Sequence, residues 1–200
     1  VVLSSGSADV VSDLANTSGQ ISTETGGGSD ADIGAAINDN VFDACSLEFD
    51  FELSPGSPGG TLQFKYIFMS EEYNEYVGDN YNDGFLLLID GENVAKVPGA
   101  QDVVSINTIN NGANPSFFND NEDTKSQLFN TEYDGFTTLL STSSVELTAG
   151  QSYAAKLVIA DAFDNKYDSS MVIKGSSFAL QPPTPAPTPA PSRSPTPAPT

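Results

Sequence analysis

The chain has 200 residues, of which 27 are acidic and 7 basic, and it contains no histidine and one cysteine. Its net charge of −20 excludes nucleic-acid phosphates and anionic membrane surfaces as partners, because like charges repel. No run approaches the roughly 18 consecutive apolar residues that a membrane-spanning helix needs. Since the chain begins at Val1 without a charged leader, we expect a mature, processed, soluble product.

The composition divides the chain into a body and a tail. Residues 1–180 have the mixture of apolar, polar and turn-forming residues that is typical of one globular domain, and their number suits one β-sandwich. Residues 181–200 are rich in Pro, Thr, Ala and Ser. Because proline fixes φ and lacks an N–H group, this tail is predicted to form polyproline II and to act as a spacer or linker.

Candidate glycosylation sites lie in both parts. A Ser/Thr-rich, Pro-rich segment is typical of O-glycosylated stalks in secreted proteins, and a bare flexible linker is the alternative. In the body, the sequence Asn-Thr-Ser at residues 16–18 is a sequon for N-glycosylation. The candidate residues are Asn16, Thr184, Thr188, Ser192, Ser194 and Thr196.

The first predicted elements are a short helix at residues 32–38, which begins with an Asp cap, and a strand at residues 46–53. Cys45 shares the alternating register of Leu47 and Phe49, so these side chains are predicted to point inward from the strand. We therefore expect a buried, unreactive thiol. An intermolecular disulfide is the alternative.

The strongest strand pattern covers residues 61–69. Leu62, Phe64 and Tyr66 lie on one face and Ile67 makes the other face apolar, as in a central strand of a two-layer sandwich. Further strands are predicted at residues 85–89, 103–106, 137–141, 144–147, 152–160, 170–174 and 176–180. The predicted fold class is all-β: a jelly-roll-like β-sandwich with long Asp/Asn-rich loops.

Acidic residues gather at the ends of the predicted strands. They occur in residues 70–76, 78–84, 119–123, 133–135 and 161–168. Two carboxylates about 4 Å apart repel by about 4 kcal/mol at an effective dielectric constant of 20. A fold that brings them together therefore needs a cation or raised pKa values.

Calcium is the cation that these loops suit best. It takes six to eight oxygen ligands, which Asp, Asn and Gly-rich loops supply, whereas the lack of histidine and the single cysteine exclude zinc and copper sites. None of the loops has EF-hand spacing. The alternative is that each run is a solvated loop or an Asx turn.

The acidic and aromatic residues also suit two other functions, glycoside hydrolysis and carbohydrate binding. Pairs of acids could serve glycoside hydrolysis, but adjacent Glu71 and Glu72 point to opposite faces of a strand, and without histidine the commonest general base is missing. We expect no enzyme activity.

A carbohydrate-binding module is the main alternative, because aromatic residues lie close to the polar loops: Tyr66, Tyr73, Tyr76, Tyr81, Phe117, Phe118 and Tyr133.

The order of the motifs resembles the choice-of-anchor L domain family over about residues 1–180. The resemblance rests on Ser-Glu-Glu-Tyr-Asn-Glu-Tyr at 70–76, Tyr-Asn-Asp-Gly-Phe at 81–85 and Asp-Ala-Phe-Asp-Asn-Lys-Tyr-Asp at 161–168, with further matches at 42–51, 93–99, 104–110 and 133–140. It implies a secreted or cell-surface β-rich domain that precedes varied anchoring signals. Only the Pro/Thr tail follows residue 180 here, which favours a spacer or a link between subunits over direct anchorage.

These observations predict an extracellular structural or adhesive module that is stabilised by calcium and forms the repeating subunit of a fibre or matrix. The apolar residues of segment 1–11 are expected to pair with a sheet edge, either in the same sandwich or in another copy. Bound glycans are the other expected partners. The candidate calcium ligands match acidic positions of the family motifs: Glu71, Glu72, Asp83, Asp134, Asp161, Asp164 and Asp168.

Overall fold

The computed structural model describes residues 1–11, 15–122, 129–177 and 179–181. The predicted polyproline II tail and its candidate glycosylation sites lie outside the described residues.

The described part of the chain is mostly β and sandwich-like. It has two antiparallel sheets of 6 and 5 strands, a small sheet of 3 strands and one short α-helix. The helix is α1 (Ala31–Ile37), and the strands are β1 (Val2–Ser4), β2 (Val41–Glu52), β3 (Gly60–Gln63), β4 (Lys65–Ser70), β5 (Gly84–Ile89), β6 (Glu92–Asn93), β7 (Val104–Ser105), β8 (Phe118–Asp120), β9 (Gly135–Thr137), β10 (Leu140–Ser141), β11 (Val145–Leu147), β12 (Ser152–Ala162), β13 (Ser169–Ile173) and β14 (Ala179–Gln181). The jelly-roll connectivity stays a prediction.

The first sheet has the strand order β1-β13-β4-β9-β8, with β10 also paired to β4. Strand β1 pairs antiparallel with β13, so that Leu3 lies opposite Met171. Both side chains are buried in the core. The N-terminal apolar residues were predicted to pair with a sheet edge in the same sandwich or in another copy, and in this structure β1 pairs within the same sandwich.

The predicted strand at residues 61–69 is two strands that belong to different sheets. Strand β3 pairs with β11 and β14 in the small sheet, whereas β4 pairs with β13 and β9 in the first sheet. Between them, the Phe64 N–H donates to the Thr142 hydroxyl over 3.0 Å. A side chain thus replaces the strand partner at the position where the chain changes sheets.

The second sheet has the strand order β2-β12-β5-β6, with β7 also paired to β5. Strand β2 begins at Val41, earlier than predicted, and lies at the edge of this sheet. Cys45 is partly buried against the core, whereas Leu47 and Phe49 are 38% and 37% exposed. Cys45 thus points toward the core, as predicted, while Leu47 and Phe49 remain more than a third exposed.

The core lies between the two large sheets and is rich in aromatic residues. Tyr66 and Phe68 of β4 contact Phe85 of β5, with ring centroids 4.8 and 6.0 Å apart. On the outer face of the second sheet, Ile33 of α1 packs with Leu86 and other apolar residues. The N-cap of α1 is Asp30, whose carboxylate accepts from two backbone N–H groups of the first turn.

Candidate functional site

The structure brings the predicted acidic residues to the ends of adjacent strands. Glu71 and Glu72 follow β4, Asp83 and Asp134 precede β5 and β9, and Asp168 precedes β13. Six of the predicted residues are at most 1% exposed: Glu71, Glu72, Asp83, Asp134, Asp161 and Asp168. Asp164 is half-buried and its carboxylate accepts from the Lys166 N–H over 3.0 Å.

Glu71 and Glu72 point into two different groups of carboxylates. Burial and the neighbouring charges of Asp134, Glu132 and Asp168 raise the pKa of Glu71 to about 9. One oxygen of Glu71 accepts from the Ile21 N–H over 3.3 Å, while Oε1 is buried without a hydrogen-bond partner.

Glu72 lies in the second group. Burial and the charges of Asp164 and Asp161 raise the pKa of Glu72 to about 9. Neither oxygen of its fully buried carboxylate has a hydrogen-bond partner among the described residues. Burial, and then the charge of Asp83, raises the pKa of Asp161 to about 10, and Asp161 Oδ1 also lacks a partner.

Asp83 is the best satisfied carboxylate of the second group. It accepts from the Ala162 N–H over 2.8 Å and from the Ser169 hydroxyl over 2.7 Å. Burial and the charge of Glu72 nevertheless raise the pKa of Asp83. Asp83 therefore holds the end of β12 and the start of β13 in place while adding negative charge beside Glu72.

The N-terminal segment 15–25 covers the carboxylates, which the sequence analysis did not predict. Four backbone N–H groups of this segment donate to acidic side chains over distances of 2.9 to 3.3 Å: Thr17 to Glu132, Ile21 to Glu71, Thr23 to Asp168 and Thr25 to Asp43. Asp43 and Glu132 belong to the site but were absent from the predicted set. The only sequence signal was their acidity.

Gly6 shows how closely this end of the chain approaches the carboxylates. A Cβ atom at Gly6 would overlap the Asp168 side chain, so the position requires glycine. Asp168 uses Oδ1 to accept from Thr23, whereas its buried Oδ2 has no hydrogen-bond partner. Burial raises the pKa of Asp168 against the effect of these hydrogen bonds.

Asn16 is part of this site and is not an accessible glycan acceptor. Its side chain is 3% exposed, and Nδ2 donates to Asp134 over 2.7 Å and to the Asn121 carbonyl over 2.9 Å. A glycan would replace a hydrogen atom on that buried nitrogen. The predicted glycosylation of Asn16 is therefore incompatible with this folded structure.

The arrangement is not a preformed metal cage. In residues 1–11, 15–122, 129–177 and 179–181, no three Asp, Glu or Cys side chains are placed so that together they would hold a metal ion. A calcium ion here would need ligands from backbone carbonyls, hydroxyls, amides or water besides one or two carboxylates.

The seven aromatic candidates for sugar stacking fall into three sets. Phe117 and Phe118 are partly buried and pack against the core. Tyr66, Tyr73 and Tyr133 are fully buried and cannot stack on a ligand. Tyr76 and Tyr81 are half-buried and form a rim with two aromatic residues that were not predicted. In that rim, Tyr76 lies 5.0 Å from Tyr81 and 5.2 Å from Tyr167, and Tyr81 lies 5.1 Å from Phe163.

The fold and the strand-end carboxylates define a β-rich domain with a buried acidic site. The choice-of-anchor L domain model matches residues 1–179, and the chain belongs to that family. No curated protein and no solved structure matches the chain. Within the described ranges, no helix is both long and apolar enough to cross a membrane.

Proposed function

We propose that this chain is an extracellular structural or adhesive surface module whose strand-end carboxylates bind calcium. It would act by assembly and contact, without a catalytic step. The observation that supports calcium most strongly is Glu72, which is fully buried with neither carboxylate oxygen hydrogen-bonded. A buried unpaired carboxylate costs several kcal/mol, so it must either hold a proton or meet a cation.

Calcium suits this position for two reasons. Glu71 and Asp168 repel each other in the first group, and Glu72 and Asp161 repel each other in the second. Each of these carboxylates has an orphan oxygen, so a cation in either group would remove both the repulsion and the desolvation penalty there. In the first group, the Ile21 carbonyl accepts from the Asp168 N–H and the Thr17 hydroxyl lies 3.2 Å from Glu132, so segment 15–25 adds oxygen atoms that suit a hard cation.

Family membership supports the surface location, because choice-of-anchor domains belong to surface-anchored proteins. The assembly into a fibre or matrix is supported by the Pro/Thr tail that follows the domain. Attached O-glycans on that tail remain part of the proposal.

Thermal unfolding of the full chain in calcium and in EGTA tests the metal site. We expect calcium to raise the melting temperature, because a ligand that binds only the folded state stabilises it. Identical melting curves at pH 7.5 in 5 mM calcium and in EGTA would contradict the proposal.

A substitution locates the effect. Glu72→Gln should reduce the calcium-dependent rise in melting temperature by at least half, because it removes the charge while keeping the shape of the side chain. Glu92→Gln is the matched control, since the Glu92 side chain is 81% exposed and lies outside the site. An equal calcium response in wild type and Glu72→Gln would exclude Glu72 as a ligand.

The aromatic rim favours calcium-dependent glycan binding as a second function. Tyr76 lies beside Tyr167, whose hydrogen bond raises the pKa of Tyr76 to about 12, and Glu72 is among the nearby charges. Half-buried rings beside a cation site suit a sugar that stacks on the rings and coordinates the cation at the same time. Glycan-array binding that disappears in EGTA and in Tyr81→Ala would support this function. Phe129→Ala is the control, because Phe129 is exposed outside the rim.

A further inference from the structure

Strand β2 has an open edge along most of its length. The Leu53 N–H donates to the Gln151 carbonyl, which shows that odd-numbered residues near this end turn their N–H and C=O groups toward β12. The even-numbered residues therefore face away from the sheet. Ala44 at the start of this edge donates to Gly28, but no strand among the described residues pairs with the edge at residues 46–52.

The two faces of this edge differ in chemistry. One face carries Leu47 and Phe49, and Phe49 continues a row of rings with Phe51 and Tyr153, at centroid distances of 6.2 and 5.4 Å. The other face carries the exposed carboxylates of Glu48, Asp50 and Glu52. A segment that fits this edge needs small polar residues alternating with compact apolar ones.

The tail sequence has that alternation. Proline occupies positions 185, 187, 189 and 191, and Thr or Ala occupies positions 184, 186, 188 and 190. In an extended strand, the N–H and C=O groups of one residue point to the same edge. In an extended run, the Thr and Ala residues therefore point all their N–H groups to one edge, and the prolines leave the other edge without N–H groups. Such a run can pair with a strand on one side only, as an edge strand.

We propose that the tail segment 184–192 of a second copy of this chain adds as a strand to the open edge of β2. Residues directly opposite in paired strands share a face of the sheet. The Thr and Ala residues, which supply the N–H groups, thus lie beside Glu48 and Asp50, where the hydroxyl of a threonine that carries no glycan donates to the carboxylates. The proline rings lie beside Leu47 and Phe49 and cover their exposed area.

The direction of the chain at the end of β14 favours docking of the tail on β2 of a second copy over docking on its own β2. Strand β14 runs antiparallel to β3, so that Gln181 lies opposite Thr61, and it leads toward the end of the domain where β2 also ends. The tail begins there with two prolines, which favour an extended path. A tail that continues in the direction of β14 would lead away from its own β2. A head-to-tail contact of this kind builds an open filament.

This inference rests on the proposed self-assembly and names the surface that carries it. Sedimentation velocity of the unglycosylated full chain over a range of concentrations measures the association. Asp50→Pro should weaken it at least tenfold, because it removes an N–H group from the open edge without removing one that faces β12. Asp50→Ala keeps the N–H group and loses only the carboxylate, so it should weaken the association at least threefold less than Asp50→Pro does.

A tail variant gives a test that cannot unfold the sandwich. Replacing Ala186 and Thr188 together by proline removes two N–H groups and should also weaken association at least tenfold. Replacing Pro185 and Pro187 together by alanine keeps every N–H group and loses only part of the apolar contact, so it should weaken association at least threefold less than the proline variant does. The opposite ranking of these two tail variants would show polyproline docking and overturn strand addition.

The outcomes separate this inference from the proposed function. Association that none of the edge or tail variants changes would leave fibre formation standing and overturn the β2 contact. Weakening by Asp50→Pro alone would assign the edge to a different segment and overturn the tail as its occupant. A wild-type chain that stays monomeric at all concentrations would overturn both proposals.

Discussion

Two buried tyrosines differ in what their hydroxyl groups contact. The Tyr133 hydroxyl lies 2.6 Å from the Ser170 hydroxyl, whereas the Tyr66 hydroxyl is fully buried without a hydrogen-bond partner. A buried hydroxyl group without a partner costs about 1 to 3 kcal/mol, so the two residues have opposite effects on stability.

We expect Tyr66→Phe to raise the free energy of unfolding by about 1 kcal/mol and Tyr133→Phe to lower it by about 1 kcal/mol. Chemical denaturation followed by circular dichroism measures both, and each variant is the other's control because both keep the ring. A clear loss of stability in Tyr66→Phe would show that its hydroxyl group has a partner.

At the scale of elements, the N-terminal segment 15–25 has no regular secondary structure and is held by side chains. The acceptors are acidic side chains at strand ends, and a bond to one that is ionised is charge-assisted and worth roughly 1.5 to 3 kcal/mol. Acidic residues thus stabilise an irregular segment, in addition to any role with calcium.

Thr23→Pro should release this segment. The substitution removes the N–H group that donates to Asp168 over 2.9 Å, and we expect a local loss of about 1 to 3 kcal/mol. Hydrogen exchange of residues 15–25 measures it as a rate increase of at least tenfold. Glu24→Pro is the control, because no hydrogen bond of the Glu24 N–H is found within the described residues. Equal exchange in both variants would contradict the role of the Asp168 contact.

Strand positions were predictable where a short apolar run is bounded by polar or turn-forming residues, as in β5 and β12. The break at Phe64 was not, because one apolar pattern continues through both β3 and β4 and only the partner strands reveal the change of sheet. The exposure of Phe49 could not be predicted either, because periodicity shows which face of the sheet a side chain lies on but not how far the opposite sheet extends over it.

At the scale of the whole molecule, the acidic site makes stability depend on pH. Glu71 and Glu72 have folded-state pKa values of about 9, above the ordinary value of 4.5. Between these values the folded chain holds protons that the unfolded chain has lost. Without a cation, stability is therefore greatest below the ordinary pKa values and falls as the pH rises toward about 9.

Melting temperatures in EGTA from pH 5 to pH 9 should therefore decrease, with each group contributing up to about 1.4 kcal/mol per pH unit. Saturating calcium should flatten this dependence, because the ion binds the ionised carboxylates. A melting temperature in EGTA that rises over this interval would contradict buried, protonated carboxylates.

The grouping of the acidic residues was predictable, because loops that follow neighbouring strands lie close together at the ends of a sheet. Six of the predicted carboxylates are buried in the structure. Their division into two groups and the contribution of Asp43, Glu132 and Asn16 were not. These depend on how a distant segment crosses the strand ends, which no local pattern encodes.

The covering segment also constrains the order in which the domain can form. Thr23 and Asp168 are 145 positions apart, and Ser5 and Ser169 are 164 apart, so the contacts of this segment join distant parts of the sequence. During synthesis Thr23 lacks its acceptor until the chain has passed residue 168. Loop closure over such separations is slow, so the final assembly of this acidic end is expected to be a late step that only a chain extended past residue 168 can take.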